Sequence, residues 1–476
     1  MRGYDRPARA HRHPRGPARS GTGTIEVVAL AALVAVATAT RSWSVVVAGV
    51  GVAAVRAPRR CLLVAVLVAA AVGRSDAAWH GLRPDTLGPF HGWATVVGDP
   101  QVLPSATRVV VSLEGERFEA WVRGPVRRQR AAGWHAGDRV ELSGERRPLE
   151  PERQRRVASQ HVVGLVDAEW FGDSISGHRA SDASNRVRAV IARGAAHLPA
   201  DRAALTRGLV IGDDRDEPPE MIHRFREAGL SHLTAVSGQN VALLIAAAGP
   251  LLRRMRPAVR WITTLGLIGW FVLLTRAEPS VLRAGAMAAL GATAFVLGRQ
   301  ADPLRLLALA VTGLLLVDPL LAWSVGFWLS VGATAGVVVG AVHLAPRLAR
   351  LGPMALPVAI TLGAQCGVAL PSLLVFGRLS LVGTVANLAA VPVAGLVMLV
   401  GLPACLVAGF VAPVGDVVMA PVGWGVWCVD AVATVAAAGE PQAQWSWIGW
   451  GALVVAVVWL VRSGTRSMAG SRTRPP

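Results

Sequence analysis

Phe225-Arg-Glu-Ala-Gly-Leu-Ser-His-Leu-Thr-Ala-Val-Ser-Gly-Gln-Asn-Val241 stands where a polar half of the chain meets a long apolar half. It places Ser231, His232, Ser237, Gly238, Gln239 and Asn240 at the mouth of an apolar helix. Polar side chains are expensive in lipid and mostly face a bundle interior or a wet cavity. A Ser-Gly step at that depth marks a helix break or a close helix contact. The stretch therefore predicts a polar opening into a membrane bundle.

The composition supports that frame. Hydrophobic residues make up 53% of the 476 positions, and several apolar runs are long enough to span a bilayer of about 30 Å as helix. The formal net charge is +18, and every basic residue is Arg. A positive balance fits nucleic acid, but cationic loops on the cytoplasmic side account for it more simply. Cys61, Cys366, Cys405 and Cys428 all lie in apolar segments, so neither a disulfide framework nor a metal cluster is expected. No cofactor is expected either. The first apolar run leads through Arg41-Ser-Trp-Ser into more membrane sequence, without the small-residue cleavage site of a signal peptide.

Taken in order, residues 1–23 read as a disordered cytoplasmic tail, and 24–72 as membrane segments at Ile25–Thr40, Trp43–Val55 and Cys61–Val72. Residues 73–182 mix both charge signs and carry five expected strands: Gly92–Leu103, Thr107–Leu113, Arg117–Val122, Asp138–Leu142 and Val162–Trp170. Five short strands suit a small OB-like barrel. Trp93, Phe118, Trp121 and Trp134 could stack on bases. Core packing is the preferred reading, because rings in a small β-domain usually fill its interior and the domain's Arg and acidic residues nearly cancel.

Residues 183–230 read as an amphipathic helical connector with Arg186, Arg188, Arg193, Arg202 and Arg207 on its polar side, broken at Pro218-Pro219. Asp213-Asp214-Arg215-Asp216 reads as a solvated turn after Gly212. Nine further spans are expected in 231–462: Leu233–Leu252, Trp261–Leu274, Ser280–Leu297, Leu304–Val317, Leu320–His343, Met354–Phe376, Leu379–Phe410, Val414–Ala437 and Trp447–Val461. A tail, 463–476, follows. Alternating the spans puts the Arg-rich loops inside, which predicts a polytopic α-helical membrane protein of about twelve spans. Both termini would be cytoplasmic and residues 73–182 extracytoplasmic.

Other polar residues fall within the spans: Arg283, Ser330, Gln365 and Asn387. Each small polar group is explained singly by a hydrogen bond to a neighbouring helix, of about 1 kcal/mol. His232, Gln239, Asn240 and Arg283 together are more costly and point to a polar path. Hydrolysis is disfavoured. Ser237 and His232 lie five apart, ~140° around a helix, and no Gly-x-Ser-x-Gly elbow follows a strand.

Several segments now resemble the ComEC competence family: Gly208-Leu-Val-Ile-Gly-Asp213, Gly229-Leu-Ser-His-Leu-Thr-Ala-Val-Ser-Gly238 and Pro279-Ser-Val-Leu-Arg-Ala284. Asp318-Pro319 with Gly326-Phe-Trp-Leu-Ser330, and Ala386-Asn-Leu-Ala-Ala-Val-Pro392, complete the set. Residues 73–182 are similar to that family's N-terminal OB-like domain. The resemblance implies a channel importing single-stranded transforming DNA across the bacterial cytoplasmic membrane. The site would be Ser231, His232, Ser237, Gly238, Gln239, Asn240, Arg283, Ser330, Gln365 and Asn387. Implied partners are single-stranded DNA and membrane lipid, with a DNA receptor, a separate nuclease, a cytoplasmic motor and a second copy of the chain as further candidates. Two departures stand out. Many members carry Leu-His where this chain has Gln239-Asn240. Many also carry a C-terminal metallo-β-lactamase-like domain, whereas this sequence holds no His-x-His-x-Asp-His cluster. It is therefore not expected to be an enzyme. A transporter of a small or lipidic solute is the alternative function, and a membrane scaffold a third.

Overall fold

A computed structural model describes residues 20–56, 61–103, 105–234, 237–300, 302–377, 380 and 382–440. The N-terminal part holds α1 (Ser20–Thr40), α2 (Trp43–Arg56) and α3 (Cys61–His80). Helix α3 runs on past the apolar stretch that ends at Val72, because Arg74 and Ser75 find partners along it. Arg74 donates to the Val317 carbonyl and Ser75 to the Thr38 carbonyl.

The β-domain follows: β1 (Gly88–Val96), β2 (Gln101–Val102), β3 (Thr107–Leu113), β4 (Glu116–Val122), α4 (Pro125–Ala132), β5 (Arg139–Pro148), α5 (Pro151–Val157) and β6 (Val162–Ile175). The expected strand Gly92–Leu103 is really β1 and β2, parted by a turn at Gly98–Pro100. Two short helices that the strand pattern does not announce, α4 and α5, each open on a proline at the first turn. The strands are ordered β1-β5-β6-β4-β3-β2, and β1 also pairs with β3. The β4–β6 pair is parallel, and the other pairs are antiparallel. Inward residues alternate along β3, where Val109, Val111 and Leu113 are buried. Phe118 and Trp134 are core residues, as the packing reading expects, and Trp121 is half-buried beneath the Arg153 guanidinium. Trp93 departs from it: 40% of its surface is exposed, because it lies on the outward face of β1 beneath Arg139.

The rest of the described chain is helical: α6 (Arg179–Ala195), α7 (Ala200–Ile211), α8 (Pro219–Glu227), α9 (Ser231–Thr234), α10 (Gly238–Leu252), α11 (Pro257–Leu274), α12 (Pro279–Val296), α13 (Pro303–Val317), α14 (Val325–Val339), α15 (Ala355–Phe376), α16 (Val382–Phe410) and α17 (Gly415–Gly439). Among the described residues, eight helices are long and apolar enough to cross a membrane: α1, α3, α11, α12, α14 to α17. Shorter apolar helices are α2, α10 and α13. The chain is a multi-pass membrane protein. The expected span Trp447–Val461 and both tails lie outside the described residues.

Glycine decides one helix pair. Gly332, Gly336 and Gly340 along α14 and the turn after it face Ala359, Gly363 and Gly367 of α15. A β-carbon on Gly332 or Gly336 would collide with the Gly367 or Gly363 carbonyl oxygen. Small residues every four positions let two backbones touch, which substitutes for a hydrophobic drive that lipid cannot supply.

The connector is corrected by the structure. Helix α6 buries Ser184, Arg188, Ile191 and Ala195, one stripe at helical spacing, and Gly194 abuts the Cys405 carbonyl of α16. Helix α7 is buried over nearly its whole circumference. It shares one core with α16 and α17 through Leu205, Leu209, Val397 and Val422. These helices pack as bundle elements, and Arg188 is on the buried side.

Candidate functional site

The decisive stretch folds as turn, short helix and new helix. Gly229, at φ 68°, lets the chain turn after α8; Gly383 and Ser380 crowd its Cα. Ser231–Thr234 forms α9 alone, and α10 begins at Gly238, not at Leu233 as the apolar run implied. The polar residues thus stand at a helix N-terminus. Ala235 and Val236 lie outside the described residues.

Three helices build the mouth. Ser237 is the N-cap of α10 but its side chain caps nothing; its Oγ donates to Asn240 Oδ1 at 3.1 Å. Asn240 is buried and donates from Nδ2 to the Leu209 carbonyl of α7 at 3.0 Å. Arg283 of α12 is only 5% exposed. Its Nε donates to Ser330 Oγ of α14 at 2.9 Å, and its Nη1 lies 3.0 Å from Met287 Sδ. Its guanidinium carbon lies 3.6 Å from where a β-carbon on Gly238 would stand. Glu278 stands at the N-cap position of α12 without a side-chain cap bond, and Arg283, one turn on, reaches Ser330. Gln239 is exposed, with its amide nitrogen against Gly395 of α16.

So Ser237, Gly238, Asn240, Arg283 and Ser330 come together, and Gln239 borders them. Ser231 and His232 are exposed on α9. Gln365 lies half-buried on α15 and Asn387 buried on α16, with no described contact to the mouth. Asn387 Oδ1 has no hydrogen-bond partner among the described residues. Met287 is a mouth residue that sequence reasoning passed over, since a thioether four residues from an Arg on an apolar helix reads as core.

A second polar cluster ties the β-domain to the bundle. Asp99, in the β1–β2 turn, accepts from Arg188 of α6 at 2.9 Å and from Arg276 of the α11–α12 loop at 2.9 and 3.1 Å. Arg188 also meets Asp213 at 3.2 Å and donates to the Leu274 carbonyl at 3.0 Å. Arg215 grips Asp213 through two bonds, and Arg276 reaches Asn185. The acidic run 213–216 is a solvated turn only in part: Asp214 and Asp216 are exposed, but Asp213 is buried at 5% exposure in this network. Burial alone would raise the carboxyls of Asp99 and Asp213; their guanidinium partners overcome it and hold both below the usual carboxylate range.

Glu217, in the loop between α7 and α8 and outside the long apolar helices, goes the other way. Burial, then Asp214 and Asp213, push its carboxyl from an ordinary 4.5 up to about 8, against Arg207. Its Oε1 has no partner among the described residues. The folded protein thus keeps a proton that the unfolded chain loses near pH 4.5. Stability is fully present below that pH and is lost as pH rises towards about 8. Each pH unit of that window costs up to about 1.4 kcal/mol. Thermal unfolding of the detergent-solubilised chain is expected to show a midpoint that falls over the window, and Glu217→Gln to flatten the fall. An unchanged slope in the variant would contradict the assignment.

The molecule is thus defined as a multi-pass α-helical membrane protein with an inserted β-domain and a polar mouth buried between helices. The competence protein family profile matches residues 209–466, more than half of the chain, and this chain belongs to that family. Two curated relatives match in part. An uncharacterized protein YcaI of Escherichia coli (strain K12) is 28% identical over 229 residues, 45% of this chain and 30% of the relative. The ComE operon protein 3 of Bacillus subtilis (strain 168) is 27% identical over 198 residues, 41% of this chain and 25% of the relative. The matched regions span less than a third of either relative. No solved structure matches.

Proposed function

We propose that this protein is the membrane channel that admits transforming DNA, as a single strand, across the bacterial cytoplasmic membrane. One observation carries the reading: Arg283, Ser330, Ser237, Asn240 and the start of α10 converge from three helices inside an apolar bundle. Such groups are costly in a membrane unless a polar solute uses them. In this reading Gln239 and His232 hydrogen-bond the passing backbone at the rim, and Asn387 and Gln365 serve deeper along the path. The ring of pairings β1-β5-β6-β4-β3-β1, with one parallel pair, supports an OB-like barrel for the β-domain. That domain, residues 73–182, is placed outside the cytoplasm with both termini inside.

The test is DNase-protected uptake of labelled duplex DNA in cells lacking the gene, complemented with wild type or with His232→Ala/Gln239→Ala. Both residues are exposed, so the fold survives their loss. Uptake is expected to vanish in the deletion, to return with wild type and to fall about tenfold with the variant, the equivalent of one or two hydrogen bonds of about 1 kcal/mol. Normal uptake in the deletion overturns the proposal and favours a small or lipidic solute.

A further inference from the structure

Two groups of the same sign face each other at the mouth. The start of α10 carries the positive end of a helix of 15 residues; the Asn240 N–H meets the Ser237 carbonyl, and the Ser237 side chain leaves the N–H groups of Gly238 and Gln239 uncapped. Against them lies the Arg283 guanidinium, 95% buried. Its Nε and Nη1 are engaged by Ser330 and Met287, neither of which is charged. Its Nη2 points at Gly238, where any β-carbon would collide with it. Among the described residues no carboxylate pairs with Arg283. In a low-dielectric bundle two positive ends in contact repel, and an unpaired buried guanidinium is costly as well. An anion between them relieves both.

We propose that Arg283 Nη2 and the first-turn N–H groups of α10 hold one phosphodiester anion, with Ser330 as the positioning residue for the guanidinium. The proposal rests on the strand-channel reading and deepens it: the strand is held at the mouth by one phosphate at a time. Guanidinium donors combined with a helix N-terminus are a recurrent way to hold phosphate. Gly238, without a β-carbon, lets the guanidinium lie directly against the backbone at the helix start. A lipid headgroup offers the same chemistry, but the burial of Arg283 favours a strand drawn between helices over a lipid lying against them.

The test uses the full-length chain in a phosphate-free detergent. Thermal unfolding is followed with rising dimethyl phosphate, against chloride at matched ionic strength. Wild type is expected to gain stability with the diester and Arg283→Gln to gain none. The variant should fold at least as well as wild type in chloride, since it removes an uncompensated charge. Arg283→Lys keeps the charge and is expected to retain part of the gain, as is Ser330→Ala. No gain in wild type overturns the seat whatever DNA does. A second arm measures anisotropy of a labelled dT oligonucleotide across salt concentrations. Loss of one phosphate contact in Arg283→Gln should lower the slope of log affinity against log salt by about 0.7. Oligonucleotide binding with the same slope in both proteins overturns the seat but leaves the channel reading intact. Failure of wild type to bind any oligonucleotide, with the diester gain present, overturns the strand as occupant. Displacement of the diester by phosphatidylglycerol then assigns the seat to lipid.

Discussion

Replacing Arg188 with Met is expected to cost about 3–5 kcal/mol and to loosen the β-domain from the bundle. Arg188 is 4% exposed and touches Asp99 of the β-domain, Asp213 of the α7–α8 loop and the Leu274 carbonyl at the end of α11. Removing it leaves Asp99 to Arg276 alone and the buried Asp213 to Arg215 alone. The penalty is therefore mostly uncompensated charge, not lost packing, since Met matches much of the volume. Unfolding of the purified protein should show a lowered midpoint, and limited proteolysis should cut at residues 176–178, between β6 and α6. If the single variant is as stable as wild type, the network does not join the two parts.

Gly336→Leu is expected to prevent α14 and α15 from packing. The β-carbon alone meets the Gly363 carbonyl, and backbone cannot step aside as a flexible side chain can. Overpacking a well-packed core costs about 1–3 kcal/mol where side chains can shift, and more is expected where backbone blocks the way. The variant should aggregate or elute heterogeneously in detergent. Gly313→Ala in α13 is the contrast. Nothing lies within 4 Å of the added carbon there. That substitution should be neutral or stabilising by up to about 1 kcal/mol, as expected for Gly replaced by Ala in a helix. Equal behaviour of the two variants would refute a glycine-specific interface.

Much of this protein is written locally and is legible without coordinates. Long apolar runs announce helices because lipid leaves the backbone no other partner. Alternating Val109, Val111 and Leu113 announce a strand because side chains alternate across a pleat. The competence-type motifs from Gly208 to Pro392 also stand in the sequence, in order. Where local pattern failed, a distant partner had decided. Gly238 starts α10, five residues into an unbroken helical prediction, where Ser237 and Asn240 tie the first turn to α7. Asp213 and Arg188 look like solvated charges on an amphipathic connector and become buried because Asp99 and Arg276 arrive from 89 and 63 or more positions away. Arg283 is one polar residue in an apolar run by sequence, and its neighbours, Ser330 and the start of α10, come from other helices. Hydropathy and turn chemistry act over a few residues, so the chain alone determined the membrane class, most element positions and the family. Charge compensation and close backbone contact are settled by groups far apart in the chain, so only the tertiary structure decided which polar residues form the mouth and which hold the two parts together.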